Sequence, residues 1–138
     1  MKNNMVFTSI PISKEMLTKT DETSFILRPS LIADGVGVFV THGVKKGTLL
    51  SLFPDMGTRV MTYESYLKLS CRSQKFLDVF GVSMENGFSY PSSFSQMSIG
   101  WYLNHSFEPN AHHDEQYNYY ALRDIEGGEE VVINYQSL

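Results

Sequence analysis

Asn104-His105-Ser106-Phe107-Glu108-Pro109-Asn110, read together with Gly128-Glu129-Glu130-Val131-Val132-Ile133-Asn134-Tyr135, decides how this chain folds. Asn, His, Ser and a second Asn bring donors and acceptors with little hydrophobic return, so the first stretch requires close side-chain hydrogen bonding. Val131-Val132-Ile133 reads as a strand. It would carry Tyr135 towards the polar loop. A phenol delivered beside such a turn has the makings of a site, whereas the plainer reading is an aromatic anchor on the core.

Composition narrows the classes. With 138 residues, 42% hydrophobic and 13% aromatic, the chain suits one globular domain with a real core. Fifteen Asp plus Glu against eleven Lys plus Arg leave a net charge of −4. That balance argues against direct nucleic-acid binding, which needs clustered positive charge, and suits a basic peptide as partner, although a solvated acidic surface is the commoner explanation. The single cysteine, Cys71, rules out an intramolecular disulfide and a thiolate-rich zinc site, and reads as a structural thiol. No run of about 18 apolar residues marks a membrane span, and the amino terminus lacks a secretory core. A reducing cytoplasm is the expected setting, with the nucleus open in a eukaryote and no membrane partner.

Along the chain, residues 1–23 form a mixed N-terminal segment in which Val6 to Ile10 suits an edge strand. Phe25 to Arg28 is a short strand stopped by Pro29-Ser30, and Asp34-Gly35-Val36-Gly37 turns into Val38-Phe39-Val40. The turn Gly43 to Gly47 precedes a strand over Thr48 to Phe53. Thr62 caps a helix carrying Glu64 in its first turn, with Tyr63, Tyr66, Leu67 and Leu69 at helical spacing. A second short helix holds Phe76, Leu77, Val79 and Phe80 and closes at Gly81. Glu85 to Ser98 is loop-like with room for one strand, and Ile99 to Leu103 is a helical turn. Tyr117 to Leu122 and Glu130 to Tyr135 are the last strands, joined by a turn at Asp124 to Gly128. Twisted antiparallel β structure is the expected class.

Several constellations have both a chemical and a plain reading. Gly35-Val36-Gly37 lets a backbone pass close to a ligand, but by itself a plain β-turn is the better explanation. Asn104-His105-Ser106 suits ligand binding or a loop that ties strands together. His112 and His113 are neighbours that should point apart on a strand, without an acidic partner at ligand spacing, so no metal site is expected. Of Glu129 and Glu130, one suits a solvated hairpin end; an inward-facing Glu130 would require a buried partner.

Taken in order, these pieces resemble the SET domain of S-adenosylmethionine-dependent protein lysine methyltransferases. The matching elements are Gly35-Val36-Gly37-Val38-Phe39 with Lys46-Gly47, then Asn104-His105-Ser106 with Pro109-Asn110, then Ala121-x-Arg123-Asp124-Ile125 with Gly128-Glu129-Glu130 and Tyr135. The resemblance spans about Ser24 to Tyr135, so residues 24–138 are assigned to the domain. It implies a mainly β fold of small curved sheets, similar to a β-clip, with one or two short helices and a C-terminal segment threaded beneath the Asn-His loop as a pseudoknot.

The resemblance also implies roles. Gly35, Val36, Gly37, Asn104, His105 and Tyr135 would bind S-adenosyl-L-methionine, and Tyr135 would act where the methyl group passes to the lysine nitrogen of a protein or peptide substrate. Phe53, Tyr102 and Phe107 would line the substrate channel, and Phe53, at a position often Tyr in the family, leans towards higher methylation states. Two departures stand out. Trp101-Tyr102 replaces the Arg-Phe pair common before the Asn, and the given sequence runs only three residues past Tyr135. A homodimer, the Met1 to Thr23 segment or a partner is therefore expected to complete the channel. The alternative is a catalytically weak or inactive SET-fold interaction module.

Overall fold

The computed structural model describes residues 20, 21, 23–53 and 58–138. The expected strand at Val6 to Ile10 lies outside them. Ten short strands follow one another, β1 Phe25–Pro29, β2 Val36–Val40, β3 Leu49–Leu50, β4 Thr58–Thr62, β5 Val82–Met84, β6 Gly87–Pro91, β7 Asn104–His105, β8 Ala111–His113, β9 Tyr119–Ala121 and β10 Glu130–Ile133. Two helices, α1 Tyr63–Leu67 and α2 Cys71–Phe80, lie between β4 and β5. Among the described residues, the strands form three small sheets, ordered β1-β2-β10-β7, β3-β9-β8 and β4-β6-β5. The fold is mainly β.

Continuous apolar sequence explains the centre. Val38 to Val40 and Val131 to Ile133 are buried residue after residue, because β2 and β10 are covered on both faces rather than one. Val38, Val40, Val131 and Ile133 make one hydrophobic cluster with Leu50, Leu52, Ala121 and Ile125. The turn residues singled out in the sequence hold its ends together. Val44 bridges Ile125, Asp124 accepts from the Lys46 backbone N–H at 2.8 Å, and Gly47 and Gly128 adopt φ +85° and +92°.

The last strand is enclosed. β10 pairs antiparallel with β2 (Glu130 opposite Phe39, Val131 opposite Val38) and parallel with β7 (Val132 opposite Asn104, Ile133 opposite His105). Ser106 N–H reaches Ile133 O at 2.9 Å. Asn110, 1% exposed, completes the ring. Its amide donates to Glu130 O at 2.8 Å and accepts from Val132 N at 2.9 Å, while its backbone N–H donates to Val132 O at 3.1 Å. One buried side chain thus behaves as a strand partner.

Other elements depart from the sequence expectation. The strand expected over Thr48 to Phe53 shortens to Leu49–Leu50, opposite Tyr120 and Tyr119, because Leu52 N–H turns back to Leu50 O at 2.9 Å. Glu85 to Ser98, expected as loop with room for one strand, contains that strand as β6, but the sheet it centres with β4 and β5 is not foreseen. Serine, glycine and asparagine dilute the alternation that would have marked it. Thr62 caps α1 as expected; α2 begins earlier than expected, capped by the Ser70 side chain. Gly81 closes α2 at φ −71°, where a Cβ would lie 2.6 Å from Leu77 O, so space rather than positive φ selects glycine. Cys71 is exposed at the start of α2, not a core thiol.

Candidate active site

Two hydrogen-bonded groups meet at β7. In the first, Asn104 Nδ2 donates to Val36 O and to Glu130 Oε2, each at 3.0 Å. Gly37 sits beside them for a steric reason. A Cβ at this position would lie 2.1 Å from Glu130 Oε2, so the carboxylate occupies the space a side chain would need. Gly35 differs, with φ +93° and open space where its Cβ would be, a turn that other residues rarely adopt.

The second group surrounds Tyr135, at the start of a 3-10 turn Tyr135–Ser137. Its backbone N–H donates to His105 Nδ1 at 3.0 Å, which makes Nδ1 the acceptor of the ring. Its phenol O–H donates to the carbonyl of Leu103, the residue before Asn104. With its proton so directed, the phenol oxygen has lone pairs to offer elsewhere. Burial holds the Tyr135 phenol above its ordinary range, so it stays protonated at neutral pH. The His105 ring packs 5.3 Å from Tyr135 and edge-on to Phe107 at 4.4 Å.

Val36, Gly37, Asn104, His105 and Tyr135 therefore share one neighbourhood, joined by β7 and β10. The three aromatics expected along a channel fall into separate groups. Phe107 is on the His105 side and 72% exposed. Tyr102 packs against Phe80 at 6.0 Å. Phe53 packs between Trp101 at 5.6 Å and Tyr119 at 5.4 Å, and its ring fits because Gly100 has no Cβ. A cleft of about 250 Å³ runs past Phe53 and Tyr119; burial pushes the Tyr119 phenol up to about 12. A larger groove, about 670 Å³, lies between α2 and β6 and shares no lining residue with the Asn104 and Tyr135 groups.

Ser30 carries no signal in the sequence, whereas the side-chain hydrogen bonding expected of Asn110 is directed to the β10 backbone. Glu130 was flagged, and its inward orientation is real, with 8% exposure. Glu129 is instead a surface group, held below the usual carboxylate range by hydrogen bonds from the Arg123 guanidinium 2.9 Å away. Contrary to expectation, His112 and His113 do not point apart, their rings stacking at 5.1 Å. His113 turns towards the chain end, with Nε2 2.7 Å from Ser137 O. Ser24 Oγ lies 2.8 Å from His42 Nε2, but Ser24 is fully buried and accepts from Asp21 N–H, which makes the pair a turn closure rather than a nucleophile. Among the described residues, no group of three or more His, Cys, Asp or Glu side chains could hold a metal, and no helix is long and apolar enough to cross a membrane.

A β protein whose last strand is clasped by an Asn-His loop, with a tyrosine returned to that loop, is a narrow class of architecture. The family model of the SET domain matches residues 35–136, and the chain belongs to the SET domain family. Among solved structures it is similar to a candidate histone methyltransferase of Plasmodium falciparum, with TM-score 0.53 and 22% identity over 83% of this chain and 95% of that one. It is also similar to an apo PRC2 assembly with two substitutions in Ezh2, with TM-score 0.60 and 18% identity over 82% of this chain and 15% of the other. No curated protein matches the chain in sequence.

Proposed function

We propose that this protein transfers methyl groups from S-adenosyl-L-methionine to the side-chain amine of a lysine in a protein substrate. The observation that carries the reading is the Tyr135 phenol, fixed by Leu103 O one residue from Asn104, with its oxygen lone pairs uncommitted. When bound, S-adenosyl-L-methionine supplies an electrophilic methyl on a sulfonium, and in-line transfer to the amine leaves the neutral thioether and releases one proton.

The residues present fit that donor. Both Asn104 N–H groups are turned inward, which leaves its Oδ1 to accept from an ammonium. Tyr135, protonated at neutral pH, is suited to orient an amine and a polarised methyl group rather than to take a proton. Alignment then supplies most of the acceleration. The lysine arrives deprotonated because a desolvated site beside positive charge favours the neutral amine. A homodimer that completes the channel and a cytoplasmic setting belong to the same proposal, as does Phe53 favouring higher methylation states.

The test is calorimetry with S-adenosyl-L-methionine, beside methyl transfer to a mixed protein substrate. Asn104→Ala should weaken donor binding by about tenfold, the loss of one hydrogen bond to a charged group. Tyr135→Phe should bind normally and transfer about a hundredfold more slowly, the scale for one preorganised group at a reacting centre. Wild-type protein that binds no donor at millimolar concentration overturns the proposal and leaves the non-catalytic module. Product limited to monomethyl-lysine on a good substrate removes the role given to Phe53.

A further inference from the structure

The proposed reaction leaves the buried Glu130 carboxylate without a part. Its partners on this chain are all donors. Ser30 Oγ, at 2.8 Å, and Asn104 Nδ2, at 3.0 Å, meet Oε2, and Leu31 N–H meets Oε1 at 2.9 Å. Only a carboxylate accepts at both ends. Glutamine here would turn an NH2 group towards at least one donor. No cation balances the charge, since the one ion pair among the described residues is Arg123 with Glu129.

The consequences reach in two directions. Towards β1, Ser30 Oγ also accepts from Ile32 N–H at 3.1 Å and Ala33 N–H at 3.2 Å, and Ser30 N–H donates to Gly35 O at 3.0 Å. Glu130 thereby ties the whole Ser30 to Gly37 loop to β10. Towards β7, it fixes which way round the Asn104 amide sits. With the NH2 engaged by Glu130 and Val36 O, Oδ1 is the amide atom without a partner among the described residues.

We infer that Glu130 is a positioning residue that holds the Asn104 amide oxygen towards the ligand and so makes this end of the site selective for an ammonium group. The inference rests on the function proposed above. Removing the carboxylate leaves the Val36 carbonyl as the one acceptor of the Asn104 NH2 among the described residues, so the amide rotates more readily and presents its NH2, which repels an ammonium.

The experiment is calorimetry with two probes, S-adenosylhomocysteine and its deaminated analogue, on wild type, Glu130→Gln and Ser30→Ala. Wild type should prefer the amine-bearing probe by about tenfold or more. Glu130→Gln should lower that preference to about twofold or less, and Ser30→Ala, which removes one donor outside the core cluster, should lower it by about threefold. A merely structural role weakens both probes in parallel and keeps their ratio, which overturns the inference. Should Glu130→Gln not fold, as circular dichroism would report, Ser30→Ala decides, and an unchanged ratio there also overturns it. Wild type that binds neither probe removes the proposed function itself, a result distinct from wild type that binds both equally.

Discussion

The clasp around β10 and the sheet of β4, β5 and β6 with its two helices are built by opposite means. In the clasp every residue of β10 is buried, and its backbone is matched by β2, β7 and the Asn110 side chain. In the other region α1 buries nothing and α2 buries only Leu77. Val60, Val79 and Phe94 stand 67%, 71% and 63% exposed. Caps and aromatic contacts, such as Tyr66 with Phe88 at 4.9 Å, hold that region instead. Burial and backbone hydrogen bonding are thus concentrated in the clasp. The groups proposed to bind the donor hang from the clasp, and the other sheet is free to vary without moving them.

Substitutions can break or sharpen this contrast. Asn110→Ala should be the most damaging. It strands Glu130 O and Val132 N, two buried groups, and should cost about 2–4 kcal/mol in chemical denaturation; a loss under 1 kcal/mol would mean that β10 is not held by this amide. Tyr119 comes next, through pH. Burial pushes its folded phenol up to about 12 from its ordinary value of about 10. The stabilising effect is therefore complete below pH 10 and is lost as pH rises from 10 through 12. By the upper end the loss amounts to about 2–3 kcal/mol. Tyr119→Phe should flatten the alkaline fall in stability, and a fall of unchanged depth would count against the assignment.

The smaller effects belong to the other region. Ser70→Ala removes the cap of α2, where Ser73 N–H meets Ser70 Oγ at 3.2 Å, and should cost about 1 kcal/mol. Val79→Ala, on an exposed face of α2, should change stability by less than about 0.5 kcal/mol. If Val79→Ala destabilised as much as Asn110→Ala, the contrast between the regions would be gone.

Legibility followed the same divide. The runs Val38 to Val40 and Val131 to Ile133 announced buried strands because apolar, β-branched residues stood together. The turns at Gly47 and Gly128 were visible because few other residues adopt their backbone angles. Thr62 was readable as a cap from its type and place. β4 and β5 were not readable, and β6 only as room for one strand within Glu85 to Ser98, because Ser83, Ser89 and Asn86 interrupt the alternation and pairing with a distant strand, not local preference, makes them strands. At the site, the sequence placed Asn104, His105 and Tyr135 together through the strand that links them. It could not show that Gly37 is small to admit Glu130, or that Ser30 answers the same carboxylate, because these contacts span long separations in the chain.

One consequence concerns synthesis on the ribosome. β10 is the last strand to emerge, yet it occupies an interior place between β2 and β7. A nascent chain that stops short of Glu130 leaves the flank of β2 and the Asn104 loop open to pairing with other molecules. Completing the hydrophobic centre and delivering Tyr135 are then one event, so a half-made polypeptide has neither a finished sheet nor a phenol seated on the Leu103 carbonyl.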